Sequence, residues 1–118
     1  MTRNSPILLA VALLLSLLAS PRPAAAAEPR VVEITAKRFE FSPSVITLRK
    51  GEAVTLCLHS LDVTHGFFQK ALGLDLEIEA GKVTEVTLTP QEQGRYVTIC
   101  DHFCGSGHGN MKMTIVVE

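Results

Sequence analysis

The sequence has no tryptophan, a single tyrosine and only five phenylalanines in 118 residues. Without Trp, and without a basic stretch interleaved with aromatic rings, it offers no platform on which bases could stack, and no nucleic-acid partner is expected. A surplus of one charge is missing too: eleven Lys and Arg face twelve Asp and Glu. Removing Arg3 and Arg22 with the first 27 residues leaves nine against twelve, a mildly acidic remainder. Long hydrophobic runs are also absent. The one apolar run, Ile7–Ala19, broken only by Ser16, covers about 20 Å as a helix, short of the ~30 Å hydrocarbon core of a bilayer. Arg3 precedes it, and an Ala-x-Ala site follows just before Glu28. This is the pattern of a secretory signal peptide over residues 1–27, in preference to a membrane anchor. An exported, periplasmic or extracytoplasmic protein is expected, with no transmembrane helix after cleavage. No cysteine lies near the cleavage site, which argues against a lipid anchor. After Ala27 there is no internal repeat, linker or low-complexity stretch, so residues 28–118 form one domain.

What fills that domain is β-pattern. Val31–Ala36, Val45–Gly51, Ala53–Ser60, Lys82–Pro90, Gly94–Cys100 and Lys112–Glu118 are rich in Val, Ile and Thr, and each reads as a strand. Met113, Ile115 and Val117 share one face of the last run, with Lys112 and Thr114 on the other. Turn residues in "SPS", "RKGE", "EAGK" and "EQG" recur about every ten residues, the rhythm of an all-β sandwich.

The chemistry is concentrated in "CDHFCGSGHGNM", Cys100–Met111, which carries two thiols, two imidazoles and a thioether. It joins two predicted strands, so the sheet fixes both ends. Gly105, Gly107 and Gly109 are expected to allow a tight backbone path. Another imidazole is available from "DVTHGFF", where His65 lies between turn-prone Asp62 and Gly66. Three cysteines, an odd number, argue against a pure disulfide scaffold. Soft sulfur beside imidazole suits copper, zinc or iron–sulfur chemistry. One blue copper uses a single Cys and leaves the second without a role. A structural zinc taking Cys100, Cys104, His108 and His65 leaves Met111 unused. Two coppers bridged by both thiolates use every donor. A Cys100–Cys104 disulfide is the competing state of the metal-free chain. Cys57 is read as a small packed hydrophobe, His59 as a surface histidine, Met113 as core and the His102 ring as solvent-facing. Phe67, Phe68 and Phe103 are candidates to shield the site from water.

"CDHFCGSGHGNM", preceded by "DVTHGFF" and followed by "TIVVE", resembles the binuclear copper-A (CuA) domain of cytochrome c oxidase subunit II, most of all the compact subunit of ba-type bacterial oxidases. The family pattern is a His, then Cys-x3-Cys-x3-His-x2-Met. The resemblance implies a cupredoxin-like Greek-key β-sandwich. It also implies a ligand set: Cys100 and Cys104 as bridging thiolates, His65 and His108 as terminal imidazoles, Met111 as a weak ligand and His102 through its backbone carbonyl. The implied function is one-electron relay from a donor such as cytochrome c to oxidase subunit I or another acceptor. Three features depart from the family: the sequence has only the short leader where the family has one or two membrane helices, His102 replaces the Glu that many relatives carry between the cysteines, and the electron-entry Trp is absent. A copper delivery or storage protein for oxidase assembly is the alternative reading. A thiol–disulfide reductant is disfavoured, because its Cys-x2-Cys motif belongs to an α/β setting.

Overall fold

The structure is a computed structural model describing residues 28–118; the leader expected over residues 1–27 lies outside the described residues. Nine strands occur in chain order: β1 (Arg30–Lys37), β2 (Glu40–Ser42), β3 (Val45–Leu48), β4 (Val54–Ser60), β5 (His65–Gln69), β6 (Leu74–Ile78), β7 (Val83–Leu88), β8 (Gly94–Ile99) and β9 (Lys112–Val117). Among the described residues the only helical segments are two short 3₁₀ turns, and no helix is long and apolar enough to cross a membrane. The expected all-β sandwich is the observed one.

One sheet has the order β2-β1-β4-β7 and the other β3-β9-β8-β5-β6. The chain passes repeatedly from one sheet to the other, the interleaving of a Greek-key sandwich. β1 runs parallel to β4 and β3 parallel to β9, while the remaining pairs are antiparallel. Alternation selects the inner faces. Val54, Leu56 and Leu58 of β4 point into the core, as do Met113, Ile115 and Val117 of β9. Ile34, Leu48, Phe67, Leu74 and Ile78 complete the packing, with Phe41 edge-on to Phe67 at 5.5 Å between ring centres.

All six strand runs read from sequence are present: the first extends by one residue at each end, and the other five are one to three residues shorter where the runs include turn residues. Three further strands carry weaker signals. β2 is only three residues long, and β5 opens with His-Gly, a pair poor in strand propensity. β6, "LDLEI", does alternate, with Leu74 and Ile78 buried. The β5–β6 turn is closed by the Gln69 side chain accepting from Ala71 N–H at 2.7 Å and by left-handed Gly73.

Two adjacent features position the site. β8 and β9 are antiparallel neighbours, and Cys100 N–H donates to the Met111 carbonyl at 3.1 Å, closing the neck of the 100–111 loop. Beside that neck begins β5, so His65 sits on the sheet itself and not in the turn before it.

Candidate metal centre

The turn entering β5 is built by hydrogen bonds from short polar side chains. The Ser60 hydroxyl donates to the Val63 carbonyl and accepts from Asp62 N–H at 3.3 Å. Asp62 Oδ1 accepts from Val63 N–H at 2.7 Å and from His65 Nε2 at 2.6 Å, and Oδ2 accepts from Arg38 N–H at 2.7 Å. Desolvation raises the Asp62 pKa, but the bonds from Arg38, His65 and Val63 outweigh it and hold the carboxyl at about 2. An ionised Asp62 makes Nε2 of fully buried His65 the protonated nitrogen and leaves the Nδ1 lone pair free to bind. That Nδ1 lies 4.0 Å from Cys100 Sγ.

Cys100 and Cys104 are free, buried thiols with sulfurs 3.7 Å apart, far beyond the ~2.05 Å of a disulfide. Around Cys100 Sγ stand His65 Nδ1 and the His102 carbonyl, the latter at 3.2 Å. Around Cys104 Sγ stand His108 Nδ1 at 3.7 Å and Met111 Sδ at 3.8 Å. The structure therefore brings together all six positions singled out in the sequence. Metal–sulfur bonds of ~2.3 Å and metal–nitrogen bonds of ~2.0–2.1 Å at a tetrahedral angle separate donor atoms by about 3.6 Å. The separations of 3.7–4.0 Å among these sulfur and nitrogen donors are close to that value, so the residues fit a thiolate-bound soft metal. Burial, followed by the hydrogen bond and charge of Cys100 and the charge of Asp62, pushes the Cys104 thiol up to about 11 against the pull of Arg38. A Cys104 thiolate here needs a bound cation.

The packing corrects several finer expectations. A Cβ on Gly66 would overlap Asp101 Oδ1 and fall 2.7 Å from His102 N and 2.8 Å from Asp101 N, so only glycine lets the loop cross β5 here. Gly66 N–H also donates to Cys100 Sγ at 3.3 Å. Of the three loop glycines, Gly105 has a positive φ of 143°, and Gly105 and Gly107 both lie against the Phe39 ring, whereas Gly109 faces open space. Gly109 is thus not required by the backbone path. The His102 ring is not simply solvent-facing: it is half-buried, and its Nδ1 is covered without a hydrogen-bond partner among the described residues. Phe103 is 75% exposed, tilted 6.0 Å from the His108 ring, and shields nothing by burial. It borders a cleft of about 270 Å³ shared with Arg38, Thr64 and Cys104.

Asp62 and Arg38 are functional candidates that the sequence reading missed. Arg38 Nε donates to the Cys104 carbonyl at 2.8 Å, across 66 residues of chain. No motif marks Arg38. The Asp three residues before a candidate ligand His was the available signal for Asp62.

Residues 7–117 match the family described as Cupredoxin-like domain. The chain belongs to the cupredoxin-like family. This cupredoxin-like chain is 36% identical over 87 residues to cytochrome c oxidase subunit 2 of Thermus thermophilus, covering 74% of this chain and 64% of that protein. It is 32% identical over 91 residues to nitrous-oxide reductase of Cupriavidus necator, covering 74% of this chain but 14% of the enzyme. Its fold matches the periplasmic domain of subunit II of the Bradyrhizobium japonicum cytochrome oxidase with a TM-score of 0.71 at 16% identity, over 80% of this chain and 88% of that one. The chain thus spans less than two thirds of the length of the Thermus subunit.

Proposed function

We propose that residues 28–118 form an exported electron-transfer domain holding two coppers, with residues 1–27 as its signal peptide. One observation carries this reading: the donors divide into two half-sets on either side of a 3.7 Å pair of thiols. His65 and the His102 carbonyl flank Cys100, and His108 and Met111 flank Cys104. His65, Cys100 and Cys104 donor atoms lie within 4.8 Å of one another, and His108 stands outside that group, which disfavours one tetrahedral ion held by all four. In this reading both thiolates bridge, each imidazole is terminal, Met111 is the weak ligand of one ion and the His102 carbonyl of the other.

Bound copper would supply a one-electron couple. The chain supplies the rest. Asp62 fixes the tautomer and direction of the His65 ring. Gly66 N–H donates toward the Cys100 sulfur and favours its negative charge, and Arg38 ties down the Cys104 carbonyl. Cys100, Cys104 and Met111 are buried, which keeps out water whose reorientation would oppose charge movement. The resemblance to oxidase subunit 2 supports a cytochrome c or similar protein as donor, and oxidase subunit I or another redox protein as acceptor.

Copper reconstitution of the purified domain tests the reading. Two coppers per chain, and a mixed-valence electron paramagnetic resonance spectrum split by two nuclei, are expected. One copper with single-nucleus splitting overturns it. The reduced, loaded domain should keep its metal against a copper(I) chelator while exchanging electrons with a soluble cytochrome c; rapid stripping with sluggish exchange would instead support copper delivery.

A further inference from the structure

The third cysteine belongs to a different constellation. Cys57 lies on β4 with its side chain on the outer face of the four-stranded sheet, opposite the core-facing Val54, Leu56 and Leu58. Its cross-strand partners are Glu33 on β1 and Glu85 on β7. Residues directly opposite on one face of a sheet bring their side chains together, so two carboxylates flank the thiol. His59, two residues along β4, shares that face. The contacts follow from this placement: Cys57 Sγ lies 3.7 Å from His59 Nε2 and 3.7 Å from Glu85 Oε1. The donor atoms of Glu33, Cys57 and His59 all lie within 4.8 Å of one another. Cys57 is buried but lies outside the packed core cluster, with His59 and Glu85 against its sulfur on the outer face of the sheet.

We propose that Glu33, Cys57 and His59, with Glu85 as a supporting charge beside the thiol, form a second metal site, separate from the loop centre, that takes a borderline divalent cation of the zinc class. The 3.7 Å between Cys57 Sγ and His59 Nε2 matches the ~3.6 Å expected between the sulfur and a nitrogen donor on a tetrahedral zinc. The donor types select among cations. A thiolate and an imidazole are poor partners for calcium or magnesium, and two carboxylates are poor partners for copper(I). Charge points the same way. Among the described residues neither Glu33 nor Glu85 forms an ion pair with a Lys or Arg, so two carboxylates crowd one thiol with no side-chain cation to offset them. Burial, then the charge and hydrogen bond of Glu85 and the charge of Glu33, raise the Cys57 thiol above its ordinary value, a penalty that a bound cation reverses. The three donors come from β1 and β4, so an ion there would fasten two adjacent strands, with Glu85 of β7 beside it.

The full chain carrying Cys100→Ser and Cys104→Ser leaves Cys57 as its only thiol. Titrated with cobalt(II), it should bind one equivalent with a thiolate-to-cobalt charge-transfer band, and zinc should displace the cobalt. Adding Cys57→Ala should abolish the band. His59→Ala or Glu85→Gln should each weaken binding by at least the ~10-fold that losing even a supporting partner costs a metal site. No band, or a band indifferent to His59→Ala and Glu85→Gln, overturns the proposal. Zinc-edge anomalous diffraction from zinc-soaked crystals of the unmodified chain checks it without relying on the folding of any variant. A peak among the four side chains is expected, and its absence there overturns the site.

Discussion

Replacing Asp62 by Ala tests how much the loop centre depends on a residue outside its ligand set. Asp62 accepts three hydrogen bonds, two from backbone N–H groups near the surface and one from the fully buried His65 ring. Truncation leaves the His65 Nε2–H buried without an acceptor, a cost of about 1–3 kcal/mol. The two backbone donors can turn to water, so each adds about 0.5 kcal/mol, the lower end of the usual ~0.5–1.5 kcal/mol range. About 3 kcal/mol in all is the expected destabilisation of the metal-free domain, which for a domain of this size lowers the melting midpoint by about 12–24 °C. Loss of the orienting carboxylate should also weaken copper binding by about 10–100-fold. Asp62→Asn separates the two effects. Its side-chain oxygen can keep the His65 and Val63 bonds, but its NH₂ then faces Arg38 N–H, so one bond is lost and the His65 tautomer is retained. Calorimetry of the metal-free variants and copper competition titrations of the loaded ones measure both quantities. If Asn and Ala weaken copper binding equally, or if Ala leaves both midpoint and affinity unchanged, the assignment of Asp62 as the group that orients His65 is wrong.

Gly66→Ala should destabilise the domain by about 1–3 kcal/mol, because the new Cβ meets the backbone of Asp101 and His102 and the loop cannot cross β5 unchanged; an unaltered melting midpoint and an unaltered copper spectrum would refute this. Gly107→Ala should disturb the loop through the Phe39 ring, whereas Gly109→Ala should shift stability by less than about 0.5 kcal/mol, and equal effects on the metal-free melting midpoint would contradict the packing described. Met111→Leu conserves volume at a buried position, so it should cost less than about 1.5 kcal/mol, keep both coppers and change the reduction potential. Cys104→Ser should abolish the paired centre, since a hydroxyl cannot replace a bridging thiolate at neutral pH; equal copper loss in these last two variants, measured by metal analysis, would remove the distinction between them.

The legible parts of the molecule are those where one local pattern decides the outcome. The alternation of Met113, Ile115 and Val117 gives β9 its inner face directly, and the clustered donors of Cys100–Met111 mark the loop whatever surrounds it. β5 was not legible because its strand state is imposed by its neighbours: His65–Gln69 pairs with β6 over five positions, and no run of β-branched residues announces it. The glycines show the same limit. Sequence reading assigned all three loop glycines one backbone role, whereas the rings and peptides of distant segments decide which of them are needed. Arg38 reaches Cys104 across 66 residues, a contact that spacing within one motif cannot reveal. The surroundings of Cys57 are illegible for a related reason: its position on the outer face is clear from alternation, but the two carboxylates opposite it come from other strands.

The donors are unevenly distributed along the chain: one lies on β5, and all the others lie within the twelve residues of the loop. An unfolded chain therefore keeps most of its chelating power, because a short flexible segment can still wrap its thiols, imidazole and thioether around an ion. A ligand stabilises a fold only by the ratio of its affinities for the native and unfolded states. Copper should raise the thermal midpoint by much less than its native affinity alone implies, and that increment should depend chiefly on His65, the donor that only folding delivers.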